Sequence, residues 1–506
     1  MNHLVIAPIL LPLLAGILLL LLQKQSMPLQ RTLSVLSVLA QVGLALKLLM
    51  VVSTGDIQVY ALGNWDAPFG IVLVADRLAA WMLLITALLS VFALLYAMRG
   101  SDSTGRHFHV LFQLQLFGLN GAFLTGDLFN LFVFFEILLL ASYGLLLHGG
   151  GRRRTLAGLH FVVINLAGST LFLFAVGTLY GVLGTLNMAD LALKVAATSP
   201  ENVSLVRAAG LMLFGVFALK AALLPLYLWL PSAYANTSAA VAALFAIMTK
   251  VGAYSILRIY TLIFGAQAGP AANLIEPWLL PLALATLLIG AIGAVGSTHL
   301  RQQVAYLVVA SIGSLLLAFG LNNTAGIAAG LFYLPHAVFS AAVFFLLADS
   351  IAVRRGEWQD RLDPGPVIAH TRVLGTLFFF SAILIAGMPP LSGFLGKFLL
   401  LRAALEHPAL PWVMGVVLTA GLFGVIALAR SGSLLFYRPK EDSDTVPPRI
   451  GVYALSAELT PVLGLLLLCL GLTIWAGAVT DFAHATAEQL LHPYQYVYAV
   501  LGGGKH

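Results

Sequence analysis

The chain has 506 residues, 60% of them hydrophobic and 9% charged, with a formal net charge of +6. Soluble proteins carry about 25% charged residues, so this composition excludes a soluble domain of useful size. Apolar runs of about 20 residues recur along the chain and indicate an all-α polytopic membrane protein rather than a β-barrel.

Long apolar runs separated by charges, Gly and Pro predict about fourteen transmembrane segments. They lie near 4–22, 32–52, 72–98, 109–125, 128–147, 155–182, 204–231, 239–263, 276–297, 302–320, 325–349, 373–406, 411–436 and 452–478. The first lacks a basic leader region and a small-residue cleavage site, and is expected to be a retained helix, not a signal peptide. Alternate loops carry Lys24 and Arg31; Arg99 and Arg106; Arg152, Arg153 and Arg154; Arg301; Arg354, Arg355, Arg361 and Arg372; and Arg438, Lys440 and Arg449. Loops between them carry Asp56, Asp66, Asp190, Lys194, Glu201, Glu276 and Glu406. The positive-inside rule places the first set in the cytoplasm, and an even number of spans then puts both termini outside. Basic charge placed this way sets orientation and implies no nucleic-acid partner.

The fifth segment reads FNLFVFFEILLLASYG, with Glu136 nine residues after Asp127. At 1.5 Å per residue that is roughly 13 Å into the bilayer, near its midplane. Asp127, at the helix start, needs no function beyond capping and the helix dipole. In the sixth segment His160, Asn165, Ser169 and Thr170 fit either a water path or hydrogen bonds between helices.

Segment seven, FGVFALKAALLPLYLWLPSAY, contains Lys220 five residues before Pro225. That proline frees the carbonyl of Ala221, as Pro231 frees that of Tyr227. Segment twelve, AILIAGMPPLSGFLGKFLLLRA, is interrupted by Gly387, Pro389, Pro390 and Gly393, and Lys397 follows. Both are expected to be discontinuous helices. Such a pair in corresponding halves of a membrane protein marks a transport site built on inverted repeats. In segment eight, IMTKVGAYSILR, a polar stripe runs through Lys250, Tyr254 and Arg258 at i, i+4 and i+8. Gly290, Gly293 and Gly296 of segment nine have no preceding strand, so close helix packing explains them better than a phosphate loop. In segment eleven, GLFYLPHAVFSAAVFF, the residues Tyr333, His336 and Ser340 share one face beside a kink at Pro335.

A charge at mid-membrane costs about 2.5–3.5 kcal/mol on insertion scales, so Glu136, Lys220, Lys250, His336 and Lys397 each need a partner, water or neutrality. Lysine loses its proton in a low dielectric, as arginine does not, and histidine passes protons through both ring nitrogens. The five are read as a proton path, with Glu136 paired to Lys220 and Tyr254, Tyr333 and Ser340 as supporting polar groups. A structural ion pair for Glu136, snorkelling for Lys250 and a merely hydrogen-bonded core histidine are the plain alternatives. Cys469 stands alone in LGLLLLCLGL, which excludes an intrachain disulfide and a thiolate cluster. No metal-ligand cluster, nucleophile arrangement or cofactor ligand is present, so a transporter subunit is expected rather than an enzyme.

With these residues in place, GDLFNLFVFFEILLLASYGLLLHGG, LKAALLPLYLWLPSAYANTSAAVAALFAIMTKVGAYSILR and GMPPLSGFLGKF resemble the antiporter-like subunits of respiratory complex I, membrane-bound hydrogenases and Mrp cation/proton antiporters. They are most similar to the D-type subunits of the Mrp (Mnh, Pha) branch. The resemblance covers almost the whole chain. It implies fourteen core helices, two inverted five-helix repeats (helices 4–8 and 9–13) with helices 7 and 12 discontinuous, and a central hydrophilic axis. The corresponding divisions are 1–108, 109–263, 276–436 and 452–506, the last holding helix 14 and a short tail. By position Glu136 and Lys220 match the family's acid–lysine pair, Lys250 its bridging lysine, His336 the link between half-channels and Lys397 the terminal lysine. The resemblance further implies a complex of six or seven different subunits in the bacterial inner membrane that exchanges cytoplasmic Na+ (or K+ or Li+) for external protons. A proton-pumping subunit of a complex I or hydrogenase type redox complex is the alternative. The chain stops about 28 residues after its fourteenth segment, which argues against the subunits that carry long C-terminal extensions.

Overall fold

A segment crossing hydrocarbon must satisfy its backbone internally, and helices do so. The computed structural model describes residues 3–438 and 452–502, so Lys440 and Arg449 of the last basic loop lie outside the described residues. In chain order the helices are α1 (Ala7–Leu21), α2 (Met27–Val52), α3 (Arg77–Ala97), α4 (Phe108–Leu124), α5 (Leu128–Leu147), α6 (Arg152–Leu183), α7 (Met188–Ala196), α8 (Val203–Ala221), α9 (Trp229–Asn236) and α10 (Ala239–Phe245). They continue as α11 (Met248–Leu262), α12 (Glu276–Gly296), α13 (Leu300–Gly320), α14 (Thr324–Arg354), α15 (Thr371–Ala386), α16 (Ser392–Ala403), α17 (Leu410–Gly432), α18 (Val452–Ile474), α19 (Ala476–Leu491) and α20 (Tyr494–Leu501). Eleven spans among the described residues are long and apolar enough to cross a bilayer, with α10 and α11 counted together. The shorter apolar helices α1, α4 and α15 occupy three of the other expected segments. The chain is an all-α polytopic membrane protein.

A helix that is apolar on all sides belongs inside. The apolar windows of α14 and of the α10/α11 pair are wholly buried, whereas α2, α6 and α17 bury only 33–39% of theirs. The bundle therefore has a protein-enclosed centre and an outer layer with bare apolar flanks. Glycines set the closest contact in it. A Cβ on Gly290 of α12 would stand 2.4 Å from the Ala310 nitrogen of α13, and one on Gly293 would stand 2.2 Å from the Tyr306 ring, while Gly296 has open space around it.

The two expected breaks are present and built alike. Helix α8 ends in Ala222 at φ 61° and α15 in Gly387 at φ 74°, both left-handed. In each, the next amide reaches back five residues, Leu223 N–H to Ala218 O at 2.9 Å and Met388 N–H to Ile383 O at 3.1 Å. This double closure satisfies carbonyls that a helix end leaves bare. Ala222 N–H closes on Leu219 O at 3.1 Å, and the Trp229 indole donates to the same carbonyl at 3.1 Å. Pro231 sits in the first turn of α9, where a missing N–H costs nothing, and Tyr227 O is satisfied by Leu230 N–H at 3.0 Å. The interruption of segment seven thus belongs to residues 222–228 and Pro225.

Segment eight departs from the expected continuous span over 239–263. Helix α10 ends at Phe245 and α11 starts at Met248, and the amides of Ala246, Ile247 and Lys250 turn to carbonyls three residues back. No Pro or Gly marks this tightened turn, which is why the residue pattern did not disclose it. Helix α14, by contrast, continues through Pro335 as one helix. Beyond α18 the chain is also more ordered than a short tail, since α19 packs back against α14, α11 and α3. Its Gln489 accepts from Arg77 N–H at 3.3 Å and donates to Gly55 O at 3.1 Å.

Ion pairs gather the arginine-bearing loops at one end of the bundle. Arg31 grips Asp102 at 2.7 and 2.8 Å, Arg99 reaches Glu458 at 3.3 Å, and Arg301 pairs with Asp349. The opposite end holds an antiparallel hairpin, β1 (Gln58–Ala61) with β2 (Val72–Ala75), together with α7 and α20.

Candidate functional site

Three lysines are embedded in helices at the predicted depth, and among the described residues none has a carboxylate within ion-pair distance. Lys220, near the C-terminus of α8, donates to Asn165 Oδ1 of α6 at 3.2 Å. Lys250, in the first turn of α11, is fully buried and donates to Ser311 Oγ of α13 at 3.2 Å. Lys397 of α16 donates to Ala386 O at 2.7 Å. That carbonyl is the last of α15, where the helix dipole places partial negative charge. Helices α8 and α11 meet backbone to backbone beside the first two, since a Cβ on Gly252 would stand 2.4 Å from Ala221 N and 2.8 Å from Lys220 C.

Glu136 does not close an ion pair with Lys220. The two are near enough to interact electrostatically, but the lysine points to Asn165, and Glu136 Oε1 is buried without a hydrogen bond. The expected acid–lysine pair is therefore open in this structure. An unsatisfied buried carboxylate oxygen costs more than most polar groups.

Between Lys250 and Lys397 lies a cavity of about 40 Å³. Its walls include Ser311, Ser314, Tyr333, Ser340 and Lys397, and Ser340 Oγ is buried with no hydrogen-bond partner. A water molecule needs roughly 10–15 Å³ and two or more polar partners, so the cavity has room for water beside its hydroxyls, though most of its wall is apolar. The structure thus brings Tyr333 and Ser340 to the space between two of the lysines. His336 is not among the lining residues and packs on Tyr333, with ring centroids 5.4 Å apart. Its Nδ1 contacts Ser392 Oγ at 3.0 Å, and its Nε2 edge fills the space that a side chain on Gly393 would need.

The stripe in segment eight divides in two. Tyr254 donates to Phe123 O at 2.7 Å, and Arg258 closes on Asp76 with contacts of 2.6 and 2.7 Å. Asp76 also accepts from Ala79 N–H at 2.9 Å as the cap of α3. Tyr254 and Arg258 thereby tie α11 to α4 and α3, while Lys250 turns to Ser311 of α13. At the other end Arg354 grips Glu458 at 2.8 and 3.0 Å. Of the four polar residues singled out in α6, Asn165 and Ser169 turn inward, while His160 and Thr170 are exposed. Asp127 caps α5 by accepting from Asn130 N–H at 2.8 Å.

At the arginine-rich end a vestibule of about 1050 Å³ opens among Arg152, Arg154, Arg301, Tyr306, Asp349 and Asp360. In the loop beside it Asp102 is held by Arg31 and His109. Burial pushes its carboxyl up, but the hydrogen bonds from His109 and Arg31 outweigh that and bring it down to about 2. Among the described residues no group of three or more His, Cys, Asp or Glu side chains could hold a metal ion. Ser311 and Ser314 give no signal in the sequence, since a serine in an apolar helix looks like packing until a lysine from another helix is set against it.

Residues 125–424 match the family model described as NADH:quinone oxidoreductase/Mrp antiporter, TM. The chain is 41% identical to the D subunit of a probable K+/H+ antiporter from Rhizobium meliloti (strain 1021), over 99% of this chain and 98% of that one. It is 36% identical to the D subunit of the Na+/H+ antiporter from Bacillus subtilis (strain 168), over 99% and 100%. Its fold is similar to a chain in the structure of the Mrp complex from Dietzia sp. DQ12-45-1b, with a TM-score of 0.88, 29% identity, and 99% and 100% of the two chains covered. The chain belongs to the NADH:quinone oxidoreductase/Mrp antiporter membrane family, and within it to the D subunits of multisubunit monovalent cation/proton antiporters.

Proposed function

We propose that this chain is the proton-translocating subunit of a Na+ or K+/H+ antiporter complex in the bacterial inner membrane, moving protons along Glu136, Lys220, Lys250, His336 and Lys397. The observation that carries this reading is the lysine series itself. Three amines, those of Lys220 and Lys250 buried and that of Lys397 half-buried, are each held by one neutral oxygen and stay hydrogen-bonded whether or not they carry a proton. A fixed structural charge at that depth calls for an anionic partner. In this reading a proton taken up at Glu136 draws on the Lys220 amine, Lys250 relays it by way of Ser311 and the hydroxyl-lined cavity, and Lys397 passes it on. His336 assists from the Ser392 side, within electrostatic reach of Lys397. Residues 109–263 and 276–436 form the two halves of the path, a division favoured by the matching breaks after α8 and α15. The arginine-rich end faces the cytoplasm and both termini lie outside, in line with the positive-inside rule. Antiport rather than redox pumping is favoured by the full-length relatives, which are named as antiporter subunits.

The test is cation/proton exchange in vesicles containing the complete complex. Glu136→Gln and Lys220→Ala are expected to abolish exchange while the complex still assembles, and normal exchange in either variant overturns the proposal. Lys220→Arg is expected to restore little, because arginine keeps its proton.

A further inference from the structure

We propose that Asn165 is a positioning residue for Lys220, a neutral resting partner that holds the amine away from Glu136, so that Lys220 alternates between an amide and a carboxylate as a proton arrives and leaves. This rests on the proton-translocating reading of Glu136 and Lys220 above.

The arrangement around Asn165 is specific. Its Nδ2 donates to Phe161 O at 2.8 Å, one turn back in α6, which turns Oδ1 towards Lys220 Nζ at 3.2 Å. Asn165 is 1% exposed and Lys220 5%. Helix α6 otherwise has a lipid-facing character, with Leu159, Val163 and Leu166 about 60% exposed. An amide turned inward from such a helix is costly unless its hydrogen bonds are made, and here both ends of it are engaged. The next turn leaves the lysine room, since Gly168 lies where a Cβ would be 2.4 Å from Leu219 and 4.0 Å from Lys220 Cε. The ionisable groups brought towards Lys220 by its neighbours are Glu136 from α5 and Lys250 from α11. Helix α6 brings none, because His160 is exposed.

The chemistry separates the two partners. An amide oxygen accepts a hydrogen bond from an ammonium or from a neutral amine, whereas a carboxylate strongly prefers the ammonium. When Nζ gains a proton on its lone pair, the attraction of Glu136 grows and the side chain swings towards it. When that proton leaves, the neutral amine returns to Asn165, and Glu136 Oε1 is again without a partner, as the structure has it. Asn165 thus resets the lysine after each transfer and keeps it from remaining locked in an ion pair.

The experiment measures exchange against pH in vesicles containing the complete complex, with the amount of assembled complex measured in parallel. Asn165→Leu is expected to lower the maximal rate about tenfold, the equivalent of one lost hydrogen bond, at unchanged assembly. Asn165→Asp adds a second anion beside the lysine, and the optimum is expected to move about one pH unit to the alkaline side. Wild-type rate and optimum in both variants overturn the proposal. So does a fall in rate that only tracks lost protein, with an unmoved optimum, since that is what a structural residue gives. If the leucine variant fails to assemble, the near-isosteric aspartate decides by whether its optimum moves. Should Glu136→Gln and Lys220→Ala exchange normally, the parent reading fails by itself, whatever Asn165 does.

Discussion

Buried cations are handled in two ways in this molecule. Towards the ends of the bundle they are arginines, Arg258 closing on Asp76 and Arg354 on Glu458, while Arg355 is held by the backbone carbonyls of Arg361 and Asp363. In the middle they are lysines, Lys397 half-buried among them, whose hydrogen bonds go to the neutral oxygens of Asn165, Ser311 and Ala386. Arginine is always charged, so where it closes on a buried carboxylate the pair acts as a fixed rivet. Lysine can shed its charge, so a neutral acceptor suffices and the group is left free to change state. The difference teaches that burial of charge is not by itself a functional sign, and that the partner decides.

The comparison breaks most easily at the rivets. Asp76→Ala leaves Arg258 buried without an anion and uncaps α3, which is expected to cost about 3–5 kcal/mol. Little folded protein should then be recovered from membranes. Lys250→Met strands no partner charge, and is expected to accumulate normally while losing exchange. Equal abundance of the two variants would undo the distinction.

A second test asks whether a rivet is a pair or two separate contributions. Arg354→Met alone is expected to cost about as much as Asp76→Ala, whereas Arg354→Met with Glu458→Leu should recover most of that loss. Thermal unfolding of the detergent-solubilised chain reads both, and additive losses would contradict the pairing.

The Asp102 cluster sharpens the comparison by pH. Its carboxyl is held at about 2 when folded, against about 3.9 for a free side chain, so it contributes stability above pH 4 that is lost as pH falls through 2. The contribution is about 2 kcal/mol, and Asp102→Asn is expected to flatten the acid limb of the stability curve. A variant that keeps the wild-type acid limb would show that Arg31 and His109 do not hold this carboxylate.

The smallest expected effect falls on the relay. Ser311→Ala removes the acceptor of Lys250 and one wall hydroxyl, about 1 kcal/mol of interaction, and initial exchange rates should fall severalfold at unchanged abundance. An unchanged rate would mean that protons pass Lys250 without using this serine.

Much of this was legible in the residues because membrane physics is local. Composition and run length determined the helical class, since hydrocarbon allows few alternatives. Pro225, Pro389 and Pro390 announced the two broken helices, and the depth of Glu136, Lys220, Lys250, His336 and Lys397 could be counted along single segments. The division of α10 from α11 carried no such mark, because a turn without Pro or Gly is imposed by the packing around it. Partnership was also out of reach: Lys250, Tyr254 and Arg258 lie on one stripe, yet one faces Ser311 and another Asp76, 182 residues away. Periodicity shows which residues share a helix face, and only the packing of several helices shows what that face meets. So the sequence by itself determined which charges had to be buried, through the cost of placing them in lipid. Which of them met a carboxylate and which met only a neutral oxygen followed from the packing of helices far apart in the chain.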